Sequence, residues 1–306
     1  MTIEHIAPRF GLKLRTGLAR NMARKASKGL SPDVDMEIGR KLMDSAGDRV
    51  PMSKKVVYAD VELAGLRTLV FGPSDPRPGQ MLFLHGGGYC RGSAYSHRPF
   101  VSRLAADLNM KTRSPDYRLA PEHPCPAAIE DALAAYRYLR EGLDGPLVVA
   151  GDSAGGGLTM ALVLKLKSLG EPLPDALILY SPWVDLTVSG ENARERDAVD
   201  PMLKSDWLGR AAAMYAGDLD PAGPECSPLF GDLSGLPPTL IQVGSDEVLL
   251  DDSIRLAERM DDAGVAVSCE VWEGLWHDFP LFQPLLPEGR MANKRARAWL
   301  DGVLAR

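Results

Sequence analysis

Leu147-Val148-Val149-Ala150-Gly151-Asp152-Ser153-Ala154-Gly155-Gly156-Gly157 is the stretch that decides how this chain folds. Its first four residues are apolar and β-branched in the middle, which predicts a short buried strand. The strand breaks into Gly-x-Ser-x-Gly, and residues 158–166 (LTMALVLKL) then read as a helix buried on most sides. Strand, sharp turn and helix are the context a nucleophile elbow requires. Gly151 and Gly155 carry no Cβ, so the backbone there can turn tightly and pass close to its neighbours. Ser153 is then expected at the apex, its hydroxyl exposed and the helix N-terminus behind it.

The pentapeptide alone decides little. At an average glycine content of ~7% it arises by chance in roughly one chain of this size in ten, and this chain has 30 glycines. A second signal is His85-Gly86-Gly87-Gly88, which follows the apolar run Gln80-Met81-Leu82-Phe83-Leu84. Chance yields such a run in well under roughly one chain in fifty. Three glycines after a buried strand leave backbone N–H groups unscreened and able to approach a ligand closely. A developing tetrahedral oxyanion needs such donors, each typically worth ~10²–10³ in rate. The competing reading is a phosphate cradle, but no Gly-Lys-Ser/Thr follows and the dinucleotide spacing is absent.

Composition sets the bounds. The 306 residues suffice for one large α/β domain, or one core with a smaller appendage. Hydrophobic residues at 45% and charged residues at 25% are ordinary for a globular protein. A formal net charge of -6 argues against nucleic acid as the main partner. Cys90, Cys125, Cys226 and Cys269 are widely spaced and form no Cys-x-x-Cys pair, so reduced cytosolic thiols are expected rather than a metal site. No apolar run approaches the ~20 residues of a membrane span. The first thirty residues are basic (Arg9, Lys13, Arg15, Arg20, Arg24, Lys25, Lys28) without an apolar core, unlike a secretory signal. Their amphipathic pattern would suit a membrane surface, but packing of the apolar side on the protein itself is the expectation preferred.

Along the chain, residues 2–49 read as helical, with Ser31-Pro32-Asp33 as a helix start. Residues 55–63 and 66–71 read as two strands joined by a turn at Ala64-Gly65, and residues 73–79 as a proline-rich loop. After the strand at 80–84, helices at 100–108 and 127–140 alternate with strands at 110–115 and 147–150, and 176–180 is the next strand. Such alternation predicts a parallel sheet wrapped by helices. Residues 183–228 interrupt it with a polar, charge-rich insertion containing one clear helix, 205–216. Strand 239–243, helix 253–263, strand 265–272 and a closing helix up to Leu304 resume the pattern. Because ~45 residues is long for a structureless loop, the insertion and the N-terminal segment are expected to build a lid or cap together.

A serine nucleophile needs a base. Of His5, His85, His97, His123 and His277, only His277 follows Ser153, in a loop after a strand, in the order Ser, acid, His. His85 is expected to orient the glycine loop; His97 and His123 read as structural or surface residues. The acid should lie just after strand 239–243, where Asp246, Glu247, Asp251 and Asp252 are clustered. The last two fall at or within the next helix, which leaves Asp246 and Glu247 on the turn. The acid's work is to hold the imidazole tautomer and stabilise the imidazolium.

Together, His85-Gly86-Gly87-Gly88-Tyr89, Tyr117-Arg118-Leu119-Ala120-Pro121-Glu122, Gly151-Asp152-Ser153-Ala154-Gly155-Gly156, Glu247-Val248-Leu249-Leu250-Asp251-Asp252 and His277-Asp278-Phe279 resemble the bacterial hormone-sensitive-lipase-like carboxylesterases. The resemblance runs from the strands near Lys55 to the last helix. It implies an α/β-hydrolase fold, a mostly parallel central sheet flanked by helices, with a helical cap. The implied boundaries are 1–49 for an N-terminal cap segment, 50–182 with 229–306 for the catalytic core, and 183–228 for the cap insertion. The resemblance further implies Ser153 as nucleophile, His277 as base, and the N–H groups of Gly87, Gly88 and Ala154 as oxyanion hole. Glu247-Val248 stands where the family's acid motif begins with aspartate-proline. Registering Leu249 and Asp251 on that motif puts Glu247 at the acid position, ahead of Asp246.

The implied activity is that of a serine carboxylesterase acting on short- to medium-chain acyl esters through an acyl-enzyme. An amidase, lactonase or deacetylase would use the same groups, and a non-catalytic ligand receptor would dispense with them. The expected partner is a small-molecule ester, without nucleic acid or stable membrane insertion, in the cytoplasm; no metal or cofactor is required. A homodimer is left open.

Overall fold

The computed structural model describes residues 2–7, 13–31, 33–191, 193–283 and 285–305. Strand β1 (Thr2–Ile6) is followed by helices α1 (Lys13–Ala26) and α2 (Met36–Asp48), then by the antiparallel pair β2 (Val56–Leu63) and β3 (Leu66–Pro73). Next come β4 (Gln80–Leu84), α3 (Ala94–Leu108), β5 (Lys111–Pro115), α4 (Ala127–Arg140), β6 (Leu147–Asp152), α5 (Ala154–Leu169) and β7 (Ala176–Tyr180). The short α6 (Ala193–Arg196) and α7 (Ser205–Ala216) precede β8 (Thr239–Gly244), α8 (Leu250–Asp262), β9 (Val267–Trp272) and α9 (Pro287–Leu304). The strands form one nine-stranded sheet in the order β1-β9-β8-β7-β6-β4-β5-β3-β2. Only the β2–β3 and β3–β5 pairs are antiparallel.

Both faces of the sheet are covered, which explains its continuous apolar strands. Val148, Ala150, Ile178 and Tyr180 point to the side of α3 and α9, where they meet Phe100, Leu104 and Leu300. Leu147, Val149, Leu177 and Leu179 point the other way, onto Leu133, Leu158, Leu162 and Leu256 of α4, α5 and α8. Each Val, Leu, Ile or Phe among them contributes about 1.5–3 kcal/mol when withdrawn from water. The register aligns Leu84 with Gly151, Asp152 with Tyr180, Tyr180 with Gln242, and Gly244 with Trp272. The carboxyl ends of five parallel strands therefore lie along one edge, and the loops leaving them converge there.

The structure corrects several boundaries. Residues 2–6 are a strand, not helix: β1 adds parallel to β9, Thr2 opposite Ser268 and Ile6 opposite Trp272. Ile3 and Ile6 are three apart and mimic a helical period, while the strand's exposure at the sheet edge hides its pairing. In the expected helix start Ser31-Pro32-Asp33, Pro32 lies outside the described residues, as do Arg9 and the side chains of Lys13 and Arg15. Helix α2 instead starts at Met36, where Asp35 accepts the N–H groups of Glu37 and Ile38 at 3.0 and 3.1 Å. Helix α3 begins six residues before Phe100 because Ser93 and Ser96 form a capping box, with Pro99 accommodated inside the helix. Helix α8 opens at Leu250 rather than Ser253, and β9 at Val267 rather than Val265.

The N-terminal helices are fastened to the loop after β4 by a buried arginine that sequence reasoning passed over. Arg91 donates to the carbonyls of Gly29 and Ser31 and, at 2.8 Å, to Val34. Its guanidinium also lies 4.2 Å from the Trp207 ring of α7. Arg40 of α2 adds bonds to the carbonyls of Cys90 and Ala120 at 2.8 and 3.0 Å. Segments remote in sequence thus meet above the converging loops.

Candidate active site

Ser153 connects β6 to α5 with φ +51° and ψ −121°, a conformation that costs a non-glycine residue of order 1–3 kcal/mol. The turn closes only because its flanks are bare. A Cβ on Gly151 would stand 2.3 Å from the Gly155 carbonyl, and one on Gly155 2.0 Å from the Leu84 carbonyl. The strained backbone is held by Ser153 N–H donating to Tyr180 O and by Trp183 N–H donating to Ser153 O, both at 2.9 Å. The hydroxyl is thereby pushed off the sheet edge.

His277 arrives on the loop after β9. Its Nε2 is 3.0 Å from Ser153 Oγ, and its Nδ1 is 3.2 Å from Glu247 Oε1. Glu247 is fully buried. Its other oxygen, Oε2, accepts from Gly244 N–H at 2.7 Å and from Ser181 Oγ at 2.9 Å, which fixes the carboxylate's rotation. Of the four acids after β8, Glu247 alone bonds His277 among the described residues. Asp246 turns aside to Arg20 of α1, 2.6 Å away. Asp252 accepts Val184 and Asp185 N–H at 2.9 Å each, and burial pushes its carboxyl up to about 8. Asp251 lies in the first turn of α8.

The glycine loop sits opposite. Gly87 has φ +124°, and a Cβ there would fall 2.1 Å from Arg91 O, so no other residue fits. The N–H groups of Gly87 and Gly88 donate to no partner among the described residues. Ala154, the first residue of α5, has an N–H without an intrahelical acceptor. His85 stacks on Tyr117 at 4.2 Å, and its Nδ1 is 2.9 Å from Gly86 O. Burial holds its imidazole down at about 3, hence neutral.

Sequence reasoning missed Asp152. Its Oδ1 accepts Gly86 N–H at 3.0 Å, and its Oδ2 lies 3.2 Å from Nε2 of His97, which is buried rather than superficial. Burial depresses the His97 imidazole, but Asp152 outweighs this and its net shift is upward. An aspartate at the end of a wholly apolar strand was the available signal. His5 and His123 are exposed and remote, His5 pairing with Glu273 at 2.6 Å.

Gly87, Gly88, Ser153 and His277 open into one cavity of about 740 Å³. Its walls include Met22 and Leu42 from the N-terminal helices and Met202, Leu203 and Trp207 from the insertion. Asp278, next to His277, also lines it, with φ +53° and Oδ2 3.1 Å from His277 Nε2. Among the described residues no three His, Cys, Asp or Glu side chains are grouped to hold a metal.

A family model described as the alpha/beta hydrolase fold matches residues 81–281. An acetyl-hydrolase of Streptomyces hygroscopicus is 45% identical over 222 residues, 72% of this chain and 74% of that protein. An esterase of Acinetobacter venetianus is 37% identical over 83% of this chain and 84% of its own. A solved esterase from the bacterial hormone-sensitive lipase family superposes with a TM-score of 0.91 at 36% identity, covering 95% and 99% of the two chains. EstE5, solved after soaking with p-nitrophenyl butyrate, gives a TM-score of 0.89 at 35% identity, covering 95% and 99%. The sheet order, the glycine-flanked turn at Ser153 and these likenesses identify the chain as a bacterial hormone-sensitive-lipase-like esterase, a carboxylic ester hydrolase of the alpha/beta-hydrolase fold.

Proposed function

We propose that the protein hydrolyses short- to medium-chain acyl esters through an acyl-enzyme on Ser153. The observation that carries this reading is the hydrogen-bonded line from Ser153 Oγ through His277 to Glu247, at 3.0 and 3.2 Å. His277 Nε2 takes the hydroxyl proton as Oγ attacks the ester carbonyl, and Glu247 stabilises the imidazolium that forms. The oxyanion is received by the N–H groups of Gly87, Gly88 and Ala154. His277 then protonates the departing alcohol, and water repeats the sequence on the acyl group.

Residues 1–49 and 183–228 act as the cap over the core of 50–182 and 229–306, a division supported by their joint lining of the cavity. A bounded apolar chamber favours acyl groups of limited length, and the p-nitrophenyl butyrate soaked into EstE5 is a short ester of that kind. The partner is then a small-molecule ester. No described helix is long and apolar enough to cross a membrane, and four free, buried cysteines fit a reducing cytoplasm.

The test is Ser153→Ala with labelling by a serine-directed organophosphate. The variant should keep its thermal unfolding profile and lose several orders of magnitude in ester turnover. In the native protein, mass spectrometry should find the label on Ser153 alone. Label elsewhere, or a variant with most of its activity, overturns the mechanism.

A further inference from the structure

His277 Nε2 has two neighbours. Ser153 Oγ lies at 3.0 Å and Asp278 Oδ2 at 3.1 Å. A neutral imidazole whose Nδ1–H donates to Glu247 presents a lone pair at Nε2. A lone pair can accept the Ser153 hydroxyl but repels a carboxylate oxygen at hydrogen-bond distance. The contact with Asp278 is therefore favourable only while a proton lies between Nε2 and Oδ2. Asp278 is 3% exposed, its Oδ1 has no hydrogen-bond partner, and its N–H donates to Ser181 Oγ at 3.2 Å. Ser181 in turn donates to Glu247, so one hydroxyl ties both acids to the same frame.

We infer that Asp278 is a positioning residue for the base: its carboxylate holds Nε2 from the nucleophile's side, and His277 serves Ser153 only after the Asp278–His277 pair releases the proton it shares. The inference rests on the reading of Ser153 and His277 as nucleophile and base. The proton lost goes to solvent, and the freed Nε2 lone pair then accepts the serine hydroxyl.

The surroundings strengthen the hold. Asp278 is faced by Asp152 at the end of β6, by His97 on α3, by Glu247 after β8 and by His277 itself. Burial raises its carboxyl above the usual range, Asp152 and Glu247 add to this, and His277 opposes it. Burial alone would depress His277, yet Asp278 first and Glu247 second carry it well above an ordinary histidine. Asp200 of the insertion faces His277 as well. Lys25, Lys28 and Arg49 line the same cavity as exposed side chains, where solvent screens them.

The acid limb of kcat/KM should consequently lie above the ordinary histidine value of about 6.5. Two substitutions remove the carboxylate while tolerating the left-handed backbone, Asp278→Asn and Asp278→Gly. The experiment measures kcat/KM from pH 5 to 10 for wild type, both variants and Ser153→Ala, beside a ¹⁵N titration of the His277 ring. Loss of Asp278 should move the acid limb down by about one unit or more, so that activity at pH 6, as a fraction of plateau, rises about tenfold. An unmoved limb in the variants overturns the inference, as does a wild-type His277 that titrates at or below the ordinary value. The ring titration needs only the native protein, so poorly folding variants leave the inference exposed to refutation. An active Ser153→Ala would instead sink the underlying mechanism.

Discussion

Replacing Glu247 by Gln changes one oxygen for an amide nitrogen, and the structure dictates where that nitrogen goes. Gly244 N–H donates to Oε2 at 2.7 Å. A glutamine that turned its NH₂ group toward Gly244 would set donor against donor, so its oxygen stays there and the NH₂ faces His277 Nδ1. Nδ1 must then accept, and the ring proton moves to Nε2. Asp278 Oδ2, 3.1 Å away, receives it and holds the wrong tautomer in place. Ser153 is left beside a donor instead of a base. The loss expected for a misplaced tautomer is ~10⁴ in kcat, or about 5.5 kcal/mol at 1.36 per decade. Asp246→Asn removes the partly exposed ion pair with Arg20, worth about 0–1 kcal/mol of stability, and keeps an amide oxygen for the Ser245 hydroxyl. It should leave turnover nearly as it was. The assay is hydrolysis of p-nitrophenyl acetate at pH 8, with thermal unfolding to confirm that both variants are folded. A Glu247→Gln variant that kept about a tenth of wild-type activity, or the reverse ranking of the two, would refute the reasoning.

Two further outcomes follow from the cavity and its attachment. Along a series of p-nitrophenyl esters, each added methylene should raise kcat/KM by no more than about fourfold, from about 0.8 kcal/mol of burial. The series should then peak and fall once the chamber is full; strong activity on emulsified long-chain oil would contradict a chamber of limited length. Removing the first thirty residues deletes Met22 and Lys25 from the cavity wall, the Arg20–Asp246 pair and the Gly29 carbonyl that receives Arg91. With the glycine loop loosened, kcat/KM should fall roughly tenfold to a hundredfold while far-ultraviolet circular dichroism still reports the sheet. Unchanged kinetics together with unchanged melting would mean that this segment does not contribute to the site.

The sequence was legible wherever a local rule controls the chain. Residues 147–157 carry both halves of their context, an apolar strand and a buried helix, and these fix the turn at Ser153. The order Ser, acid, His points to His277 and the motif register to Glu247, since both follow strands whose ends are marked by apolar runs, and these are the two side chains that stand in line with Ser153. β1 was illegible because an edge strand is recognised by its partner: the contacts of residues 2–6 are with residues 268–272. The same holds for Arg91, whose acceptors lie 57 to 62 residues earlier in the chain and whose aromatic partner is in the insertion. Asp278 shows the limit most sharply. Adjacency in the chain puts Asp278 near His277 but does not say on which side of the ring. What turns its carboxylate back onto Nε2 is a left-handed residue with φ +53°, its N–H fastened to Ser181 in the loop that leaves β7, two strands away from β9. Asp tolerates that conformation more readily than most residues, yet many tight loops use the same tolerance with no chemistry attached. Only the position of Ser181, set by the pairing of β7 with β8 and by its own N–H on Gln242 O, makes the difference between a loop aspartate and a carboxylate within 3.1 Å of His277 Nε2.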